Sequence, residues 1–277
     1  MKLDYRSIFV APPGKLLVVT DLSQAESWVV AYLADERNMK YALHKSDIHC
    51  QTGGALYFQT GCDHHWVKET LSCTKCRVIL TKDQRYLSKR RNHASSYGMG
   101  PDKAMRIINA DSDKPPYISI TLKESDEHHK NWHNFYNVKG WWAEVLGKDR
   151  IMTTSYGRTR IFYDEWGDDL ERKKIAFEPQ STVADHFSGM VHPLVRKKGG
   201  LIEIYRQLIK PYKDHKITNM SHDSCILELP KENARDIGLQ AEELLRRPII
   251  IKDEEFTIPT DGLIGDRWSE GEMEKLV

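Results

Sequence analysis

The stretch Arg85-Tyr-Leu-Ser-Lys89-Arg-Arg-Asn-His93-Ala-Ser-Ser-Tyr97-Gly98 decides how this chain is read. Wound as a helix, it carries Arg85, Lys89, His93 and Tyr97 at four-residue steps along one slowly rotating face. Two fixed cations a turn apart suit a polyphosphate, and the rings that follow suit a sugar or a base. That order would lay a nucleoside triphosphate along the helix. A solvated basic helix has the same composition, so the stretch alone leaves both readings open.

Two distant stretches bring carboxylates. Val18-Val-Thr-Asp21-Leu-Ser-Gln-Ala-Glu26 puts Asp21 at the end of an apolar, strand-like run. Lys216-Ile-Thr218 and Cys225-Ile-Leu-Glu-Leu229 read as short strands flanking the tight turn Ser221-His-Asp-Ser224, with Asp223 at its tip.

Together these stretches resemble motifs A, B and C of the family A DNA polymerases, the bacterial DNA polymerase I group, and particularly its phage members. Motif A resembles Asp21-Leu-Ser-Gln-Ala-Glu26, motif B Arg85-x3-Lys89-x7-Tyr97-Gly98, and motif C His222-Asp223. Thr154-Ser-Tyr-Gly157-Arg158-Thr-Arg160 resembles the family's Gly-Arg-x-Arg segment. Glu171-Arg172 with Gln180-Ser-Thr-Val-Ala-Asp185 resembles the segment that touches primer and template. The motifs occur in the family's order, over nearly the whole chain.

The resemblance implies an α+β right-hand polymerase. Residues 1–30 and 172–277 would form a palm of antiparallel sheet with helices, and residues 31–171 mainly helical fingers, with the motif B helix at about 83–98. The implied reaction is template-directed transfer of dNMP to a primer 3′-hydroxyl. Asp21, Asp223 and the backbone carbonyl of Leu22 would hold two Mg²⁺ ions, an oxygen-only ligand set that suits this cation. Catalysis would rest on Asp21, Asp223 and Lys89. Gln24, Glu26, His49, Arg85, Lys89, His93 and Tyr97 would meet the incoming nucleotide, with Lys89 near the α-phosphate, Arg85 near the γ-phosphate and Glu26 barring a 2′-hydroxyl. Arg172, Gln180 and His222 would touch primer and template.

Three residues depart from the family pattern. His93 stands where Phe or Tyr is usual, Ser224 where an acid follows motif C, and Ala176 in the place of an Asn. Altered sugar discrimination and lower fidelity are the expected consequences.

Between His49 and Arg85 the chain is longer than the family pattern, and the surplus holds Cys62-Asp-His64-His65 and Cys73-Thr-Lys-Cys76. This is a zinc-knuckle arrangement, predicting an insertion at about 61–78 stapled by a structural Zn²⁺ on Cys62, His64 or His65, Cys73 and Cys76, with Cys50 as an alternative ligand.

Composition sets the bounds. With 277 residues, 40% of them hydrophobic, the chain can bury one large or two modest cores. The mean hydropathy of −0.58 is that of a soluble protein. Because 41 Lys and Arg face 40 Asp and Glu, bulk charge neither argues for nor excludes nucleic acid. A phosphate-tracking surface has to be local, as at Lys89-Arg-Arg91 or Arg196-Lys-Lys198. No apolar run is long enough for a bilayer and the start lacks a secretory segment, so the expected location is the cytoplasm, that of the host for a phage-encoded chain, with no membrane partner. Five cysteines in such a chain point to thiols or metal rather than disulfides.

Element by element, an edge strand is expected from Tyr5 to a Pro-Pro-Gly14 turn, then a strand over Lys15–Thr20. A capping box Ser23–Glu26 should start a helix running to about Glu36. Trp132, Phe135, Trp141 and Trp142 are expected in core rather than as a base-stacking platform. Later helices are expected from Thr182 past Met190, over Ile202–Ile209 and over Asn233–Arg247.

The chain opens just upstream of motif A, which implies no thumb and no exonuclease domain, hence no proofreading. Expected partners are primer-template DNA, dNTPs and a second chain carrying the thumb and remaining palm, as in a split or truncated polymerase. Two other readings compete. A single-subunit RNA polymerase shares the two acids but is disfavoured by Glu26. A non-catalytic nucleic-acid-binding or assembly subunit is disfavoured by the presence of Asp21, Asp223, Arg85 and Lys89 together.

Overall fold

The computed structural model describes residues 5–58, 64–112, 117–269 and 271–277. In chain order the elements are β1 (Lys15–Leu22), α1 (Ala25–Leu33), α2 (Arg37–Lys45), α3 (Ile48–Tyr57), β2 (Trp66–Val67), β3 (Ser72–Cys73), α4 (Lys82–Ser96) and α5 (Pro101–Asn109). Next come α6 (Leu122–Phe135), α7 (Lys139–Gly147), β4 (Ile151–Thr153), β5 (Thr159–Ile161), α8 (Asp168–Ser188), α9 (Gly200–Ile204), β6 (Lys216–Ser221) and β7 (Ser224–Pro230). The chain closes with α10 (Ala234–Leu245), β8 (Pro248–Ile251), β9 (Glu254–Thr257), β10 (Thr260–Gly265) and β11 (Glu274–Lys275). It divides into two compact units, Met1–Glu26 with Thr153–Arg160 and Glu178–Val277, and Ser27–Met152 with Ile161–Phe177.

The first unit is built on a five-stranded sheet in the order β11-β10-β1-β7-β6, with every pairing antiparallel. Alternation along β1 sorts its side chains between the two faces. Val18, Thr20 and Leu22 are buried on the side where α10 packs, and Gly238 of α10 lets Val18 come so close that a Cβ there would lie 2.9 Å from its Cγ1. Leu17 and Val19 face the other way, into a cluster with Ile226, Leu263 and Met273. Asp21 shares their parity.

The second unit is mainly helical. Its core is aromatic, with Trp132, Tyr136 and Trp141 buried. Helix α4 enters this core with a polar face: Ser88, Arg91, Asn92, Ser95 and Ser96 are all buried. Each polar group there needs a partner. Asn92 Oδ1 accepts from Trp132 Nε1 at 3.1 Å, and Arg91 Nη2 donates to the Ser125 carbonyl at 2.7 Å.

Several expected elements are corrected. The N-terminal edge strand is instead a 3₁₀ turn over Tyr5–Ile8 and a single bridge from Val10 to Arg267. Pro12 and Pro13 cannot donate to a ladder, which keeps pairing from extending. Helix α1 begins at Ala25, because Gln24 lies in the left-handed region (φ 56°). It ends at Leu33 rather than near Glu36, whose carboxylate accepts from the Met39 amide at 2.6 Å and so caps α2. The helix expected from Thr182 already starts at Asp168, runs through Pro179 and stops at Ser188. Acids at Asp168, Asp169 and Glu171 favour its first turn. The Ile202–Ile209 helix is the short α9 followed by a π-helical turn at Tyr205–Ile209.

Candidate functional site

In the first unit, hairpin β6–β7 turns through His222 and Asp223, with Ser221 opposite Ser224 and His222 at φ 52°. Strand β7 then runs beside β1 with Asp21 opposite Ser224, and the Leu22 amide donates to the Asp223 carbonyl at 3.0 Å. Residues some two hundred positions apart in sequence thus place both acids at one end of the same strand pair. Burial pushes the Asp223 carboxyl above its ordinary pKa, and the negative charge of Glu26, in the first turn of α1, adds to the rise. Three acids crowd one corner of the unit.

A fourth acid joins them without any local signal in the chain. Asp261 of β10 lies opposite Asp21 on the other flank of β1, so Asp21, Ser224 and Asp261 form one cross-strand row on one face. Only the strand order reveals this. Gln24 stands in the turn after β1 with its Oε1 buried and without a hydrogen-bond partner among the described residues.

Arg158 of the Gly-Arg segment is anchored: its Nε reaches both carboxylate oxygens of the buried Asp185, at 3.0 and 2.9 Å. Next to it, Tyr156 and His186 are 2.8 Å apart at Oη and Nδ1, while His186 Nε2 lies 3.0 Å from the Leu245 carbonyl. The carbonyl can only accept, so Nε2 donates and Nδ1 accepts from Tyr156. Burial, helped by Arg247, pushes the His186 pKa down to about 3 and keeps it neutral.

In the second unit, α4 spans Lys82–Ser96 with Thr81 as N-cap and Tyr97 as C-cap. Thr81 and Gln84 form a full capping box. Because the opposite face is buried, the expected face turns outward. Lys89 and His93 are exposed, Arg85 and Tyr97 half-buried, and the His93 and Tyr97 rings meet edge to face at 5.3 Å.

Arg85 has a partner that sequence reasoning missed. Its Nη2 and Nε donate to the two oxygens of Asp47 at 2.8 and 3.3 Å. Asp47 is also the N-cap of α3, accepting from the Cys50 amide at 2.7 Å. Burial alone would raise the Asp47 pKa, but the Arg85 guanidinium and the cap amide overcome it and hold the carboxyl below its usual range. Two residues on, His49 is buried, with its pKa pushed down to about 4 first by burial and then by Arg85 and Lys89. Its Nδ1 has no hydrogen-bond partner among the described residues.

The zinc expectation falls partly within view. His64, Cys73 and Cys76 bring their ligand atoms within 4.8 Å of one another. His65 and Cys50 are not in that group, and Cys62 lies outside the described residues. Cys50 sits beneath it, in an apolar cluster with Trp66, Cys73 and Leu80. Burial and the Asp47 charge push its thiol pKa up to about 12. Arg172 pairs with Asp168 and Asp169 on its own helix, and Gln180 lies further along α8. His222 is exposed. No helix among the described residues is long and apolar enough to cross a membrane.

Compared with known proteins, the chain matches the profile of DNA polymerase family A over residues 1–270. The chain belongs to DNA polymerase family A. Among curated family A relatives it is 24% identical over 251 residues to the thermostable DNA polymerase I of Thermus filiformis, covering 87% of this chain and 26% of that protein. It is 24% identical over 268 residues to DNA polymerase I of Aquifex aeolicus, covering 96% of this chain and 41% of that one. The chain therefore spans less than half the length of either. Its fold is similar to the POL domain of Pol1 from M. smegmatis, solved in complex with DNA primer-template and dNTP. That likeness has a TM-score of 0.68 at 16% identity, over 95% of this chain and 42% of that one.

Proposed function

We propose that this family A chain catalyses template-directed addition of deoxynucleotides to a primer 3′-hydroxyl, with the first unit as palm and the second as fingers. The observation that carries the reading is the β1–β7 junction, where the Leu22–Asp223 hydrogen bond and the Asp21–Ser224 register hold Asp21 and Asp223 together.

The donor set there fits Mg²⁺. Asp21, Asp223 and the Leu22 carbonyl offer only oxygen, and the Asp223 carboxyl, its pKa raised first by burial and then by the Glu26 charge, lies among acids that a hard cation would offset. Mg²⁺ bound there would activate the primer hydroxyl and offset phosphate charge. The remaining work falls to side chains. Lys89 supplies a fixed charge for the α-phosphate. Arg85, gripped by Asp47 through Nε and Nη2, keeps Nη1 for the terminal phosphate. Neutral His49 offers a hydrogen bond rather than another charge. His93 and Tyr97 take sugar and base, Glu26 and Gln24 border the ribose, and Arg172, Gln180 and His222 meet primer and template. Ser224, where the family has an acid, and Ala176 in the place of an Asn loosen this arrangement.

The test is primer extension on a defined template with Mg²⁺ and four dNTPs, with product sequencing. Product complementary to the template, abolished in Asp223→Asn, is expected. Equal extension by Asp223→Asn would contradict the reading. A folded wild-type chain that binds primer-template but extends nothing would favour the non-catalytic binding subunit.

A further inference from the structure

The segment between α3 and α4 has little to hold it together. Strands β2 and β3 are two residues each, and a hairpin of that size is not stable alone in water. Its apolar content is one small cluster, with Trp66, Cys73 and Leu80 buried against Cys50 and Leu71, Cys76 and Val78 only partly covered. Helix α3 accommodates it with two glycines, since a Cβ on Gly54 would lie 2.8 Å from the Trp66 ring and one on Gly53 2.8 Å from Leu80.

Within this segment three metal-binding side chains converge. His64 Nδ1 lies 3.2 Å from Cys73 Sγ and 3.2 Å from Cys76 Sγ. One ring nitrogen equidistant from two sulfurs can offer them at most a weak, bifurcated hydrogen bond and cannot saturate both. A shared cation can. With Zn–S about 2.3 Å and Zn–N about 2.0–2.1 Å, tetrahedral geometry asks for ligand separations of about 3.5–3.8 Å, against 3.2 Å for the two nitrogen–sulfur pairs and no more than 4.8 Å among all three atoms.

The backbone is shaped for the same purpose. The chain doubles back between Cys73 and Cys76, with Arg77 N donating to the Cys73 carbonyl and Cys73 N to that of Val78, each at 2.9 Å. Arg77 adopts φ 61° to close the loop.

We propose that His64, Cys73 and Cys76 hold one structural Zn²⁺ ion, which staples this segment and thereby fixes the starts of α3 and α4. Both starts are tied to it: Ser46, just before the Asp47 cap, accepts from the Trp66 amide at 2.8 Å, and Thr81, the cap of α4, follows Leu80, whose amide bonds the Leu71 carbonyl at 2.8 Å. Cys73 and His64 are buried and Cys76 half-buried, which leaves the Cys76 side for a fourth ligand. The inference stands apart from the polymerase reading.

The test is elemental analysis of the full, folded chain purified with zinc in the medium, followed by exchange for Co²⁺. About one zinc per chain is expected, and the cobalt form should show thiolate-to-metal charge transfer with tetrahedral d–d bands. Cys76→Ser and His64→Ala, checked for native circular dichroism, should each weaken zinc retention against a chromophoric chelator at least tenfold. The wild-type cobalt spectrum decides the matter should the variants not fold. Zinc below about 0.1 per chain in folded protein, or a Cys73–Cys76 disulfide in its place, overturns the proposal. So does unchanged retention in both folded variants.

Discussion

The Asp47 carboxylate does two jobs at once: it caps α3 through the Cys50 amide and grips Arg85 of α4 at 2.8 Å. The N-cap residue of one helix thereby sets the aim of a cation on another. Asp47→Ala should cost about 2–4 kcal/mol of stability, as expected for loss of a cap together with a largely buried ion pair. Asp47→Asn keeps the cap and should recover part of that loss. Urea melts of the two variants measure the difference, and equal losses would mean that Arg85 gains nothing from the carboxylate.

Acid stability depends on His49. Its folded pKa of about 4 lies below the ordinary histidine value, so it stabilises the fold fully above about pH 6.5 and loses that contribution as pH falls toward 4. His49→Gln should narrow the stability gap between pH 7 and pH 5 by about 2 kcal/mol. Asp47 also has a lowered pKa, but its contribution is lost only below about pH 4, outside that window. An unchanged gap would show that His49 titrates normally.

Glu26 stands close enough to Asp223 for its charge to raise the Asp223 pKa. If it also borders the ribose, Glu26→Ala should raise the ratio of ribonucleotide to deoxyribonucleotide incorporation at least about tenfold, the scale on which a pocket rejects one extra hydroxyl. Single-nucleotide incorporation with matched dNTP and rNTP reads this out. An unchanged ratio would remove Glu26 from the sugar.

Asp261 faces Asp21 across β1 and β10, while Ser224 on the other flank is uncharged. Asp261→Asn should raise the Mg²⁺ concentration for half-maximal extension roughly threefold, from the loss of one charge at cross-strand distance near solvent. A magnesium titration that overlays the wild type would confine Asp261 to structure.

How far the sequence could be read depended on whether neighbours or distant pairings set the outcome. The β6–β7 hairpin was legible because its turn and flanking apolar runs are local. The outward face of α4 was legible because helical periodicity alone fixes it. The same periodicity separates two adjacent arginines, Arg90 half-buried on Asp111 and Arg91 buried on Ser125. Composition made them look alike, since the face that receives Arg91 is itself polar, with Ser125 of α6 taking Nη2 while Nε and Nη1 are buried without a hydrogen-bond partner among the described residues. Asp261 was hidden because β10 joins β1 only through strand order. The partner of Arg85 was hidden for a similar reason, as Asp47 comes from another helix. At the N-terminus the stretch from Tyr5 to the Pro-Pro-Gly14 turn suggested an edge strand, and the prolines after Val10 limited it to one bridge.

The most direct test of the central claim is a double-mutant cycle on single-turnover incorporation of one matched dNTP, comparing wild type, Asp21→Asn, Asp223→Asn and the double variant. If the two acids act as one unit, each single change should abolish most of the rate and the double should be no slower than the worse single. Losses that multiply, or a single variant that retains full rate, would mean that Asp21 and Asp223 do not work as a pair.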